Sequence, residues 1–435
     1  MPLINHAGGG SSFAAIIQVT YNAGAICTCS NGSKTLTAPD TSGNVTFIVK
    51  SKGTWVVAVT KGSASATKSV EVVSDGALYS VEVFTFRIYG ISRSRSASAP
   101  EWARTDDAAG LTASAALGTQ PGHSDFDTIY PWSEITRTTL STGDVMVKIP
   151  KFWYRRYILN DIEYIQISDK SESGFDLHPA FTTSEFIYVG AYITSGGSTV
   201  TSATGAPVTT AKTRGWHITN AGNKGSGWSI MSIEALSAIQ MLILVEYATY
   251  DVQSAIGAGY TGQVYGTNSP IQTGSCDAIP GLTGRPSGTS NEVDVVWRGI
   301  EGLWGQVFEF LSNLTRTEAF SGICYTLNAS GTTTTLETPP TFNKYIVSLG
   351  LDESYPYIML AEAATQKGSS STYTCDYADG DPVQGSNTTS IAYGGAAIDG
   401  DKAGLFALSI GSADQYGSSQ AGAYIYGSRL LYVPQ

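Results

Sequence analysis

Four histidines, His6, His123, His178 and His217, are the chain's whole supply of imidazole, and no two stand at metal-ligand spacing. His178 lies in GFDLHPAF, where Pro179 restricts the backbone before it. A buried, hydrogen-bonded histidine fits that setting better than a general base. Asp106 and Asp107 in RTDDAAG could chelate calcium or share a proton. Adjacent acids more commonly cap a turn or pair with a nearby cation such as Arg104. Gly-x-Ser-x-Gly, P-loop and dinucleotide fingerprints are missing. Five cysteines, Cys27, Cys29, Cys276, Cys324 and Cys375, are an odd, scattered set that implies no disulfide framework. Cys27 and Cys29 share one face of a strand-like run, but without a second pair or a nearby histidine they do not read as a zinc site. No metal or other cofactor is expected.

Aromatic residues say more. Tyr373, Tyr377, Tyr393, Tyr416, Tyr424, Tyr426 and Tyr432 crowd the last 65 residues among Ser, Gly, Asn and Gln. Such mixtures make adaptable recognition surfaces, because tyrosine brings contact area at low entropic cost and small polar residues bring hydrogen bonds. Half of these tyrosines are expected to fill the core instead. The run SADQYGSSQAGAYIYGS, Ser412 to Ser428, is polar enough for a surface and aromatic enough to bind. A second run, WRGIEGLWGQVFEFL, spans Trp297 to Leu311. Trp297, Trp304, Phe308 and Phe310 are expected in the core. Arg298 and Glu301 are expected to form a partly buried ion pair or backbone hydrogen bonds, since unpaired buried charge is costly.

Composition and patterning indicate what positions these residues. With 14% charged residues, 48 Gly and 24 Tyr, the chain reads as loop-rich and β-rich. A net charge of −11 speaks against nucleic acid, which needs a clustered basic surface. RIYGISRSRS, Arg87 to Ser96, is the notable basic run and reads as a solvated linker. ALSAIQMLILVEYA, Ala235 to Ala248, is too short for a bilayer and holds Glu246, so no membrane insertion is expected. The start, MPLINHAGGGSSF, lacks the pattern of a signal peptide, so synthesis in a cytoplasm is expected.

Four segments follow. Residues 1–12 read as a flexible start, 13–83 as a small all-β sandwich of seven or so strands around Trp55, and 84–99 as a linker. Residues 100–435 read as a ligand-binding domain. Within it, SIEALSAIQMLILVEYATYD predicts a largely buried helix with Ser232 as N-cap and Glu234 in the first turn. PWSEITRTTL, Pro131 to Leu140, suggests a second, short helix, and DVMVKIPKFWYRRYI with IEYIQISD a strand pair. Residues 194–211 and 327–341 have loop composition.

The segment WRGIEGLWGQVFEF resembles the Arg-Gly-Ile-Glu-Asn-x-Trp-Gly-Asn signature of the C-type-lectin-like fold, in the form shared by formylglycine-generating enzymes and phage tail-tip proteins. GLFALSIGSADQYGSSQAGAYIYGSRLLYVP is similar to that fold's final segment, where Gly-Leu-Phe and Gly-x-Arg-Leu flank a variable polar stretch. GDVMVKIPKFWYRR, GFDLHPAF, YVGAYI and LSAIQMLILVEYATYDVQSAIGAG look like segments of phage or prophage tail proteins that carry it. The resemblance covers about residues 100 to 435 and departs at Gly302 and Gln306, where Asn is common. Residues 13–83 resemble the immunoglobulin-like or PEGA-like modules that act as spacers on surface and tail proteins.

The resemblance implies an α+β fold class: a C-type-lectin-like domain with a small twisted antiparallel sheet, two helices and long loops. Trp297, Arg298, Glu301, Trp304, Phe308 and Arg429 would be its structural signature. It further implies a non-enzymatic receptor-binding protein, or adhesin, of a phage or prophage tail, carried on the virion. The C-terminal face, diversified by a retroelement in some relatives, would bind a glycan or protein receptor on the bacterial host surface. Tyr393, Tyr416, Tyr424 and Tyr426 would supply contact area, and Asp414, Gln415, Ser418 and Ser419 hydrogen bonds. Family analogy adds a homotrimer, whose avidity strengthens weak single sites, and other tail proteins as partners. The alternative is a structural tail or baseplate component. A formylglycine-generating-type enzyme is disfavoured, because Cys375 is the last cysteine where a copper-binding pair is needed. The iron-dependent sulfoxide synthases of this fold need a His/Glu facial set that four scattered histidines do not supply.

Overall fold

The computed structural model describes residues 13–61, 64–264, 270–319, 322–329, 332–336, 343–380, 389–411 and 425–435. The chain divides into two compact units, Met1–Arg87 and Ile88–Gln435.

The first unit holds seven strands: β1 (Ala15–Tyr21), β2 (Ile26–Ser30), β3 (Thr35–Thr37), β4 (Asn44–Val49), β5 (Gly53–Lys61), β6 (Ala64–Val72) and β7 (Leu78–Val83). One sheet runs β4–β1–β7, with β7 parallel to β1; the other runs β3–β2–β5–β6. Period-two alternation sends Ile17, Val19, Phe47 and Val57 inward to a core shared with Trp55, which is 1% exposed. The Trp55 indole donates to Ser51 O at 3.1 Å, so its polar edge is satisfied. Cys27 and Cys29 are buried in the same core, and burial pushes both thiols up to about 11. They are packing residues.

The second unit begins earlier than its composition suggests. Strand Ile88–Ser94 pairs residue for residue with Ile162–Ser168, so 84–99 is not a linker. Nor is the basic run solvated: Arg93 is buried and donates to Ala97 O and Ala99 O. Trp153–Leu159 pairs with Ile162–Ser168, while Val145–Pro150 joins a different sheet beside Phe186–Ile193.

The α+β class is overturned. Strand accounts for 41% of the structure and helix for 12%, with three α-helices among the described residues. These are α1 (Arg214–Gly222), α2 (Ile233–Tyr247) and α3 (Val252–Ala255). Threonine-rich stretches contribute to the difference. They read as loops by composition, yet β-branched side chains fit a paired strand. Thr332–Leu336, inside the stretch expected to be loop, pairs with Gly322–Ala329, which pairs with the long strand Phe308–Ala319. The second short helix is likewise absent: Trp132–Glu134 makes one 3-10 turn, and Thr136–Thr139 then pairs with Val145–Pro150.

Helix α2 starts where its cap places it, with Ser232 Oγ accepting from Ala235 N at 3.3 Å. Every residue of α2 except Glu234 is buried. His178 is also sealed in the core, with Nε2 3.0 Å from Ser237 Oγ on α2.

Replacing Trp55 by alanine should destabilise the first unit by about 3–5 kcal/mol, the usual cost of emptying an aromatic core site. Hydrogen exchange read by mass spectrometry is expected to lose protection in residues 13–87 and retain it in 88–435.

Candidate functional site

The C-terminal segment is held by one buried ion pair. Arg429 begins the strand Arg429–Tyr432, which lies between Phe186–Ile193 and Trp228–Ile230. Its guanidinium donates to Glu309 at 2.6 and 3.1 Å, and both side chains are fully buried. The remaining donors reach Gly190 O at 3.0 Å, Glu301 O at 2.7 Å and Gly302 O at 3.0 Å. Tyr393 completes the cluster by donating to Glu309 Oε2 at 3.0 Å. In the short strand Tyr426–Gly427, which pairs with the strand carrying Glu309, Tyr426 stacks on Phe310 and Phe308, with ring centroids 5.4 and 5.7 Å apart. Its hydroxyl lies 2.8 Å from Ser409 Oγ.

The Trp297–Leu311 signature is the other half of this anchor. Val296–Trp297 pairs with Ile300–Glu301 through a two-residue turn in which Arg298 (φ 45°) and Gly299 (φ 88°) both take the left-handed region. Positive φ at both positions suits the twist of a tight hairpin. A carboxylate on α2 holds Arg298 in this unusual conformation: Glu246 accepts from Arg298 at 2.7 and 3.0 Å and from the Trp297 indole at 2.9 Å. Arg298 therefore pairs with Glu246 and Asp127 rather than Glu301. Glu301 accepts instead from Gly274 N at 2.7 Å and Cys276 N at 2.8 Å. Trp297, Trp304, Phe308 and Phe310 are all buried.

Glu309, Tyr393, Leu408, Ala378 and Lys344 form one row across the sheet. Beyond that row the register brings Gly411 beside Ser390, and Gly380 beside Ile410. The residues flanking 381–388 and 412–424 on the strand side thus meet at one end of the sheet. Nearby is a cup of about 170 Å3 lined by Phe308, Asn343, Tyr377, Asp379, Asp399 and Lys402. Lys402 Nζ stands 4.6 Å from the Tyr377 ring centroid, and Tyr345 meets Tyr377 edge-on at 5.3 Å. Asp399 accepts from Ala396 N at 2.6 Å, yet burial, aided by the charge on Asp379, pushes its carboxyl up to about 6. Burial and the neighbouring Asp401 push the Tyr345 phenol up to about 12, so it stays a donor. An aromatic wall, two carboxylates, an ammonium and an amide around a small concavity can orient a polar ligand.

Two of the residues expected to touch ligand are structural instead. Tyr393 is 0% and Tyr426 8% exposed, because strand pairing turns each ring inward onto a partner. Asp414, Gln415, Tyr416, Ser418, Ser419 and Tyr424 lie outside the described residues. The cup residues were missed. The alternation of Tyr377 and Asp379 in CDYADGD was a usable strand signal, but Asn343, Asp399 and Lys402 come from separate segments.

Two Ser–His contacts are found among the described residues. His178 with Ser237 and His217 with Ser428 are buried throughout, and burial pushes both imidazoles down to about 3. The adjacent acids near the start of this unit are both hydrogen-bond acceptors within the fold: Asp107 accepts from Ile88 N at 2.9 Å, and Asp106 from the Gln166 side-chain amide at 2.8 Å. Arg104 goes to neither, donating to Glu246 O. No protein-family model matches the chain, and comparison with curated proteins finds no match.

Two outcomes are expected. Arg429→Ala should cost about 3–5 kcal/mol in urea unfolding, because it strands Glu309 as an uncompensated buried charge; Arg429→Met with Glu309→Leu should recover much of that loss. The second concerns pH. The folded Asp399 carboxyl binds its proton more tightly than the unfolded one, so the contribution of this group to stability is fullest below pH 3.8 and is lost as pH rises through about 6. Asp399→Asn should flatten its share of that slope and raise stability at pH 7 by about 1 kcal/mol, measured by urea unfolding across the window.

Proposed function

We propose that the chain is a receptor-binding protein of a phage or prophage tail, which works by binding a bacterial surface receptor rather than by turnover. The observation that carries this reading is the anchoring of residues 412–424. This polar, tyrosine-bearing stretch joins Gly411, at the end of a paired strand, to Ile425, beside the Tyr426 stack and the Arg429 pair. A variable recognition stretch needs such fixed ends, because a rigid base lowers the ordering cost of binding. The cup adds aromatic and charged groups beside one of those ends. Tyr416 and Tyr424 bring contact area, and Asp414, Gln415, Ser418 and Ser419 bring hydrogen bonds, to a glycan or protein on the host surface. On this reading the protein sits on the virion with other tail proteins as partners, and a homotrimer multiplies weak sites by avidity. The first unit serves as a spacer without chemistry of its own.

The test is adsorption of the purified full-length protein to a panel of bacterial cells. Tyr416→Ala with Tyr424→Ala, and separately Tyr377→Ala with Asp379→Asn, should each cut adsorption to a susceptible strain at least tenfold with unchanged thermal midpoints. Undiminished adsorption in both would overturn the reading and leave the face as a packing surface of a structural component.

A further inference from the structure

A larger groove, of about 420 Å3, lies at the start of α2, where separate stretches of the second unit converge. Ile187, Leu431 and Val433 give it an apolar floor, and Tyr355 and Tyr357 stand over it with ring centroids 6.3 Å apart and planes at 72°. The two rings meet edge to face, with Tyr357 buried and Tyr355 half-buried.

One formal charge lines the groove, and it is negative. Glu234 is the single residue of α2 that is not buried. Asn313 Nδ2 donates to both of its carboxylate oxygens, at 3.0 and 2.8 Å, while Asn313 Oδ1 accepts from Ile233 N at 3.0 Å. The backbone donor sets the sense of the Asn313 amide, which then holds the carboxylate in one orientation. Each oxygen keeps acceptor capacity for a further partner. Burial, aided by the charge on Glu234, pushes the Tyr357 phenol up and keeps it neutral. Among the described residues, no lysine, arginine or histidine lines the groove.

The walls are rigid. Arg156, paired with Glu163 at 2.7 Å, donates to Gly350 O at 2.9 Å and Ile358 O at 2.8 Å, which pins the stretch carrying both tyrosines. The contact of His178 with Ser237 fixes the turn Pro179–Phe181 at the opposite rim.

We propose that this groove is a binding site for an organic ammonium group on an apolar stem. A cation there would meet the half-buried Tyr355 ring and a carboxylate held by a neutral amide and the first turn of α2, with no full positive charge opposite it, while its stem covers the apolar floor. An anion is opposed by Glu234, and a neutral ligand leaves its charge uncompensated in a half-dry groove. The site does not share residues with the cup, so its failure and that of the receptor-binding reading are separately visible.

Choline and its neutral isostere 3,3-dimethylbutan-1-ol distinguish charge from shape. Saturation-transfer NMR on the full-length protein should show choline binding in the millimolar range and the isostere at least about tenfold weaker. N-acetyl-lysine methylamide, run in parallel, tells a primary from a quaternary ammonium preference. Glu234→Gln should remove the difference between choline and isostere. Tyr355→Ala, at a half-buried ring whose loss leaves the fold intact by thermal midpoint, should weaken choline at least fivefold. Absence of binding by both ammonium probes at about 50 mM, equal binding of the isostere, or binding indifferent to both variants would overturn the proposal.

Discussion

Everything in the second unit is arranged around a guanidinium that no water reaches. Taking Arg429 and Glu309 out of solvent costs several kcal/mol per ion, and their attraction offsets this only when every remaining donor and acceptor is satisfied. That requirement brings three distant pieces of chain to one point: the carbonyls of Gly190 and of the adjacent Glu301 and Gly302, and the Tyr393 hydroxyl. The pair thereby ties the C-terminal strand, the signature hairpin and the large sheet together. It is a registration device, because a one-residue slip of any partner strand leaves a buried charge unanswered.

A second charge, Glu246 on α2, does the same work for the hairpin itself. Its bonds to the guanidinium offset the strain of Arg298 at positive φ, and without it the Trp297 indole would lose its acceptor. Buried carboxylates recur elsewhere in the unit. Asp294 is pushed up to about 8 by burial and by the nearby Glu301, and burial raises Asp376 well above the ordinary carboxylate range. Perturbed acids often mark active sites. Here they hold backbone amides, Val295 N for Asp294 and Phe406 N for Asp376, so the perturbation follows from architecture. The sealed Ser–His contacts belong to the same category.

The cup and the groove use similar materials, tyrosine beside a carboxylate, with opposite balance. The cup holds Lys402 against its acids, whereas the groove presents Glu234 without a cation. Rigid walls matter in both, since they remove ordering costs from any association that occurs there.

What the sequence determined alone is whatever depends on neighbours a few residues apart. Helix α2 was legible from its cap and its unbroken apolar run, the strands of the first unit from alternation, and the burial of Trp297 and Trp304 from aromatic density among glycines. Fold class was not legible, because threonine and serine suit loops and strands equally until a partner strand is in place. Tyr393 and Tyr426 looked like surface for the same reason; their inward rotation is set by register with strands far away in the chain. Only the tertiary structure could choose Glu246, 52 residues upstream, over Glu301 as the partner of Arg298. Periodicity is a local property, whereas the pairing of a buried charge depends on which distant groups share its small desolvated volume.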